Sequence, residues 1–265
     1  MSGAQLKVLE TSILHASDIL YWLDGSTAET ISEMQRVAHQ LHFELTTKPN
    51  NVQVRQAPGK TIFWRRSATE IIAGQASEED KGFIDGGSFT LAGTVYDKKG
   101  YYNPSTFSLT LGAGTIPIAG QAMVLYPTPQ GTQFGKAGGL ITSLRFVSDE
   151  KIVPWALLTA IVTIPGAGNQ TYRAQTDQHG DILLPLHRLP PLPEGITEYS
   201  VALSVEALLS ANPNIPLNTN DLIPMDLESL STAGTFSNPL VFAFVPGEIK
   251  IIRSANKRYL AVQTS

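Results

Sequence analysis

The sequence predicts a mainly β protein organised around an antiparallel β-sandwich, and three observations carry that expectation. The 265-residue chain is 42% hydrophobic but only 16% charged, against about 25% charged in a typical globular domain. That is ample for a core and suits sheets whose surfaces are partly covered. Between Val153 and Leu186 the apolar residues alternate. Ala156, Leu158, Ala160 and Val162 fall on one face, and Leu157, Thr159, Ile161 and Thr163 on the other. A period of two is the signature of a strand, not a helix. Glycine and proline punctuate the runs as turns do: Pro165-Gly166-Ala167-Gly168-Asn169 breaks this one, and Asp177-Gln178-His179-Gly180-Asp181 reads as a tight hairpin turn before Ile182, Leu183 and Leu184.

Taken in order, Leu6 to Leu14 is a short apolar run that reads as an opening strand. His15 to Asp24 carries Ile19, Leu20, Tyr21, Trp22 and Leu23 and is expected to be buried. Ser26-Thr27-Ala28-Glu29 has the spacing of a capping box. Ile31, Met34, Ala38 and Leu41 then recur at helical spacing, while Leu41, Phe43 and Leu45 alternate. The segment therefore reads either as a short helix or as a long strand. Val52 to Arg55 and Thr61 to Arg66 form an expected hairpin around Ala57-Pro58-Gly59-Lys60. The charged stretch Ser77–Lys81 and Gly86-Gly87 mark an expected boundary. Strands follow at Phe89–Tyr96, Thr106–Leu111, Gln121–Tyr126 and Leu140–Val147.

Tyr199, Val201, Leu203 and Val205 alternate strictly and are expected to close the sandwich. From Leu208 to Pro239 the pattern fails, and the Asn- and Pro-rich stretch is far longer than an ordinary loop. Its scattered Leu222, Ile223 and Met225 predict an extended arm lying on a surface. Leu240–Val245, Glu248–Arg253 and Tyr259–Val262 read as strands, the last two as a terminal hairpin bearing Lys250, Arg253, Lys257 and Arg258. Three segments result: a β-rich region with a possible short helix over 1–87, a sandwich over 88–206, and an arm plus hairpin over 207–265.

Ala156, Leu158, Thr176, Asp177, Gly180, Ile182 and Leu184 resemble the "A.V.…T.D..G.F.L" pattern of the carboxypeptidase regulatory-like, or transthyretin-like, module. An aromatic is usual where Ile182 stands. "LAGTVYDKKG" at 91–100 is similar to that module's opening strand. The resemblance implies a small Ig/transthyretin-like sandwich used as a spacer or docking domain. "FTLAGTVYDKKGYYNPSTFSLTL", "FGKAGGLITSLRF" and "AQTDQHGDILLPL" together resemble a baseplate-associated protein of phage-tail-like contractile injection systems. That likeness implies a mechanical role: several copies bridging or caging baseplate or spike subunits. The expected compartment, the cytoplasm with later release by lysis left open, is read instead from the lack of a signal peptide or membrane span.

The residues themselves offer little for chemistry. Cysteine is absent, which excludes disulfides and thiolate chemistry. Net charge is −4, with no electrostatic footprint for nucleic acid. No run reaches the length of a membrane span, and MSGAQLKVLE lacks the apolar core of a signal peptide. His39 and His42 would share a face only on a helix, and no HExxH pattern occurs. Asp149, Asp177 and Asp181 lack the spacing of a calcium loop. In Gly135-Lys136-Ala137-Gly138-Gly139 the lysine precedes the glycine pair, so a phosphate loop is not formed. No catalytic residue, cofactor or metal site is therefore expected, and the chain reads as a non-enzyme. Partner contact is expected at Leu222, Ile223, Met225, Lys250, Arg253, Lys257 and Arg258. The competing reading is a soluble carbohydrate- or peptide-binding module using Tyr101 and Tyr102, with Trp22, Trp64 and Trp155 as further platform candidates. Because the hairpin reads as an appendage, removal of 246–265 is expected to spare the sandwich.

Overall fold

The computed structural model describes residues 16–48, 52–65, 89–111 and 121–264. The expected opening strand at 6–14 and the charged link at 77–81 lie outside them. Half of the chain is in strands, and no α-helix occurs among the described residues. The protein is mainly β, with several antiparallel sheets and a sandwich-like build.

The first packing unit comprises β1 (Ala16–Asp24), β2 (His42–Thr47), β3 (Val52–Ala57), β4 (Lys60–Arg65), β5 (Phe89–Tyr96), β6 (Ser105–Leu111) and β7 (Gln121–Leu125). They form a four-stranded sheet, β3-β4-β1-β7, and a three-stranded sheet, β2-β5-β6. Leu20, Trp22, Phe63, Leu91, Val95 and Phe107 fill the space between them. The packing thus divides the chain differently from the expected segments, because β2 pairs with β5 across the boundary placed at 87.

The helical spacing over 31–41 does not produce a helix. Asp24 N–H donates to Gln35 O and Val37 N–H to Trp22 O, so the chain runs back along β1. Glu29 does not cap Ser26; its carboxylate accepts from Thr171 Oγ1 at 2.6 Å, in the second unit. The tertiary pairing outcompetes a weak local preference. The 52–65 hairpin forms as expected, with Gly59 at φ 67° in its turn.

The second unit contains β8 (Gly139–Phe146), β9 (Leu157–Ile164), β10 (Gly168–Gln175), β11 (Asp181–Pro185), β12 (Tyr199–Ala207), a 3₁₀ turn at Thr219–Asp221, β13 (Ile223–Glu228), β14 (Phe236–Ser237), β15 (Leu240–Phe244), β16 (Ile249–Ile251) and β17 (Leu260–Thr264). The order is β10-β9-β12-β13-β17-β8-β11, with β14 on β13, β15 on β12 and β16 on β8. Its two ends, β10 and β11, are consecutive in the chain and lie against each other. The sheet therefore curls over one apolar core. Ala156, Leu158, Ala160 and Val162 are buried in it, as are Tyr199, Val201, Leu203 and Val205, so the alternation read from the sequence marks the inward faces.

Pairing partners differ from the expected ones in three places. The turn at 177–181 is not a hairpin: β11 pairs with β8 rather than returning along β10. Asp177 Oδ1 accepts the N–H groups of His179 and Asp181, and Gly180 O accepts from Leu144 N–H at 2.8 Å. Gly180 has φ 78°, and a Cβ there would lie 2.8 Å from Leu144 O. The turn thus throws the chain from one layer to the other. The irregular arm expected over 208–239 contains β13, whose Met225 and Leu227 are fully buried. The terminal hairpin is absent. β16 and β17 do not pair with each other; both run parallel to β8, along 139–141 and 144–146. Between them Ser254 N–H donates to Tyr259 O, closing a short excursion.

One glycine locks β16 to β8. Gly138 has φ 75°, and a Cβ would sit 1.9 Å from Glu248 O. Replacing it with alanine is expected to destabilise the fold by about 2–3 kcal/mol, through combined strain and backbone clash. Chemical denaturation of Gly138→Ala measures this.

Candidate functional site

The most distinctive exposed feature is the edge made by β15 and β16. In the parallel pairing of β16 with β8, Gly139 N–H donates to Glu248 O at 3.0 Å and Ile252 N–H to Ile141 O at 2.8 Å. That register turns the peptide groups of Lys250 toward β8 and those of Ile249 and Ile251 away from it. Among the described residues these outward groups have no strand partner. Their side chains are 54% and 60% exposed, and Val241 on the neighbouring edge strand β15 is 61% exposed. An exposed apolar edge with unspent backbone hydrogen bonds is a template for another strand.

The turn joining β15 to β16 fixes the geometry of this edge. Gly247, at φ 96°, donates its N–H to Ala137 O. Lys250 reaches across from β16, and its Nζ donates to Ala243 O on β15 at 2.7 Å. Its ammonium lies 5.6 Å from the Phe242 ring centroid. Lys250 thus fastens the two edges together rather than projecting toward a partner.

The other sequence-predicted contact residues scatter. Met225 is fully buried, because it faces the core from β13; it cannot meet a partner. Ile223 is 45% exposed. Leu222 is half-buried on a groove of about 620 Å³ that also touches Phe107, Met123 and Arg173. Arg253 and Arg258 are exposed. Lys257 is turned inward, its Nζ 2.7 Å from Oε2 of Glu228, which is 2% exposed. Burial works against the Glu228 charge, yet Lys257, the Gly234 N–H and Ser254 outweigh it and hold the carboxyl below its usual range. Sequence reasoning missed Ile249, Ile251 and Val241. The signal was present in Ile249-Lys250-Ile251, where alternation at an edge leaves both isoleucines outside.

Elsewhere, no group of three or more His, Asp or Glu able to hold a metal occurs among the described residues. His39 Nε2 lies 2.9 Å from Asp97 Oδ2, a close approach out of line for a hydrogen bond, with Tyr101 and Tyr102 around the ring. Among the described side chains the aromatic platform does not assemble on the surface. Trp22 is buried and donates to Thr61, Trp155 is buried and donates to Asn212 O, and Tyr102 donates its hydroxyl to Asp24. Burial, helped by the Asp24 charge, drives the Tyr102 phenol well above its usual range. Of the candidates whose side chains the structure describes, which leave out Trp64, only Tyr101 stands out, at 43% exposure. The stretch 135–139 is a packed turn against Glu248, Leu184 and Phe134.

Set against known proteins, the chain matches no family model and no curated sequence. No helix among the described residues is long and apolar enough to cross a membrane.

Proposed function

We propose that this protein is a non-catalytic structural subunit that holds neighbouring subunits in a large assembly, docking through the outward edge of β16. The observation that carries this reading is the pair of outward peptide groups at Ile249 and Ile251 flanked by exposed apolar side chains. An added strand gains main-chain hydrogen bonds there without needing a pocket. The kind of assembly comes from the sequence likeness at 89–111, 134–146 and 174–186: the baseplate of a phage-tail-like contractile injection system, with several copies bridging its subunits.

Ile251→Pro tests the docking edge. The substitution removes an N–H that points away from β8 and spares those of Lys250 and Ile252 that hold the strand. The variant is expected to keep its circular dichroism spectrum and to be lost from particles purified from the native source. A folded variant still incorporated at the wild-type level overturns the proposal.

A further inference from the structure

A second feature, independent of the β16 edge, lies at the seam between the two packing units. A cleft of about 390 Å³ opens between the 96–104 segment and the 128–130 turn on one side, and Trp155 with the 177–179 turn on the other. Pre-formed ligand sites begin at about 300 Å³. We infer that this cleft binds one unit of an uncharged saccharide.

Three properties argue for a built site. Its walls are rigid. Asp97 clamps its turn through the N–H groups of Lys99 and Tyr101, Thr128 Oγ1 holds Gly100 O at 2.6 Å, and Asp177 holds the opposite turn. Trp155 is kept at φ 61°, an unusual conformation for a bulky residue. Its indole N–H donates to Asn212 O and its carbonyl accepts from Gln175 Nε2. Strain of this kind persists only where surrounding contacts impose it, and it gathers at ligand sites.

The cleft also keeps unspent hydrogen-bonding capacity. Asn103, at the back of the cleft, is 1% exposed and donates through Nδ2 to Gln175 O and Thr176 O; its Oδ1 has no partner and is itself closed off from solvent in this conformation. A buried orphan acceptor is costly unless something supplies a proton donor. The Gln130 side chain makes no hydrogen bond among the described residues, and the Gln178 amide meets only the neighbouring His179 ring.

Charge then selects the ligand. No lysine or arginine lines the cleft, whereas Asp97 and Asp177 do. That repels phosphates and carboxylates. The Gln130 and Gln178 carboxamides and the Asp177 carboxylate, beside the half-buried Tyr102, Pro104 and Pro129 rings, offer donors and acceptors next to apolar faces. A neutral ring bearing hydroxyls fits that mixture.

Saturation-transfer NMR on the full chain tests this, with glucose, galactose, mannose and N-acetylglucosamine as probes, and methyl phosphate, whose methyl protons report binding, as the phosphate. At least one sugar is expected to receive saturation at about 10 mM, and phosphate none. Gln130→Ala/Gln178→Ala changes two exposed side chains outside both cores. It is expected to keep the wild-type circular dichroism spectrum and weaken sugar binding about tenfold. Silence from all four sugars, binding of phosphate instead, or unchanged sugar binding in the double variant overturns the inference.

Discussion

Deleting residues 246–265 is expected to leave the second packing unit unfolded. β17 is not an appendage: it pairs with β13 on one side and β8 on the other, in the middle of the sheet order. Ile252, Leu260, Ala261 and Val262 are at most 1% exposed. Burying a large aliphatic side chain contributes about 1.5–3 kcal/mol. Losing several of these, together with two ladders on β8, removes most of the 5–15 kcal/mol by which a domain of ordinary stability is held, order-of-magnitude figures both. The expectation drawn from sequence, that the sandwich survives this truncation, is replaced by its opposite. Far-UV circular dichroism and a urea titration of the truncated chain measure the outcome. A cooperative transition at the wild-type midpoint would show the pairing of β17 to be dispensable.

Lys257→Ala is expected to cost about 2–4 kcal/mol, since removing one partner of a buried pair strands the other charge. Glu228 is 2% exposed and would keep the Gly234 N–H as a donor at 2.8 Å, with no cation beside it. Lys257 is itself partly exposed, which places the cost at or below the usual range for buried pairs. Glu228→Gln with Lys257→Met should recover much of the loss, because no uncompensated charge remains. A double-mutant cycle by chemical denaturation gives the coupling. The same pair predicts a pH dependence. The Glu228 carboxyl is held below the ordinary glutamate value of 4.5 in the folded chain. Its contribution is therefore complete above about pH 4.5 and fades as the pH falls through the depressed folded value. Wild-type stability should drop in that acid window more steeply than that of the double variant.

The strands of the second unit were legible wherever one face is apolar and the other polar. Tyr199 to Val205 and Ala156 to Val162 carry that alternation, and it marks their buried faces. What period cannot encode is the partner. Ile182 and Leu184 alternate equally well for a hairpin with β10 or a crossing to β8; the Asp177 hydrogen bonds and the close approach of Gly180 to Leu144 decide between them. β13 was hidden because its inward residues, Met225 and Leu227, are spaced by Pro224 and Asp226 and flanked by asparagines and prolines that read as loop. The candidate edge was only half legible. Basic residues in a terminal strand pair read as outward, yet Lys250 and Lys257 find carbonyl and carboxylate partners within their own chain. Ile249 and Ile251, which the reading of 248–253 as a hairpin strand did not single out, stay outside because β8 occupies only one side of their strand.

The pairing of β8 has a kinetic consequence. Leu144 meets Leu260, more than a hundred residues further along the chain. Contacts of such separation require a large loop to close before they stabilise anything, so they slow folding. During synthesis β8 emerges from the ribosome long before β16 and β17 exist. Until then one of its borders, with the apolar residues around it, has no native cover. Nascent chains halted before about residue 249 should therefore be captured by chaperones, and be released only when the late strands arrive.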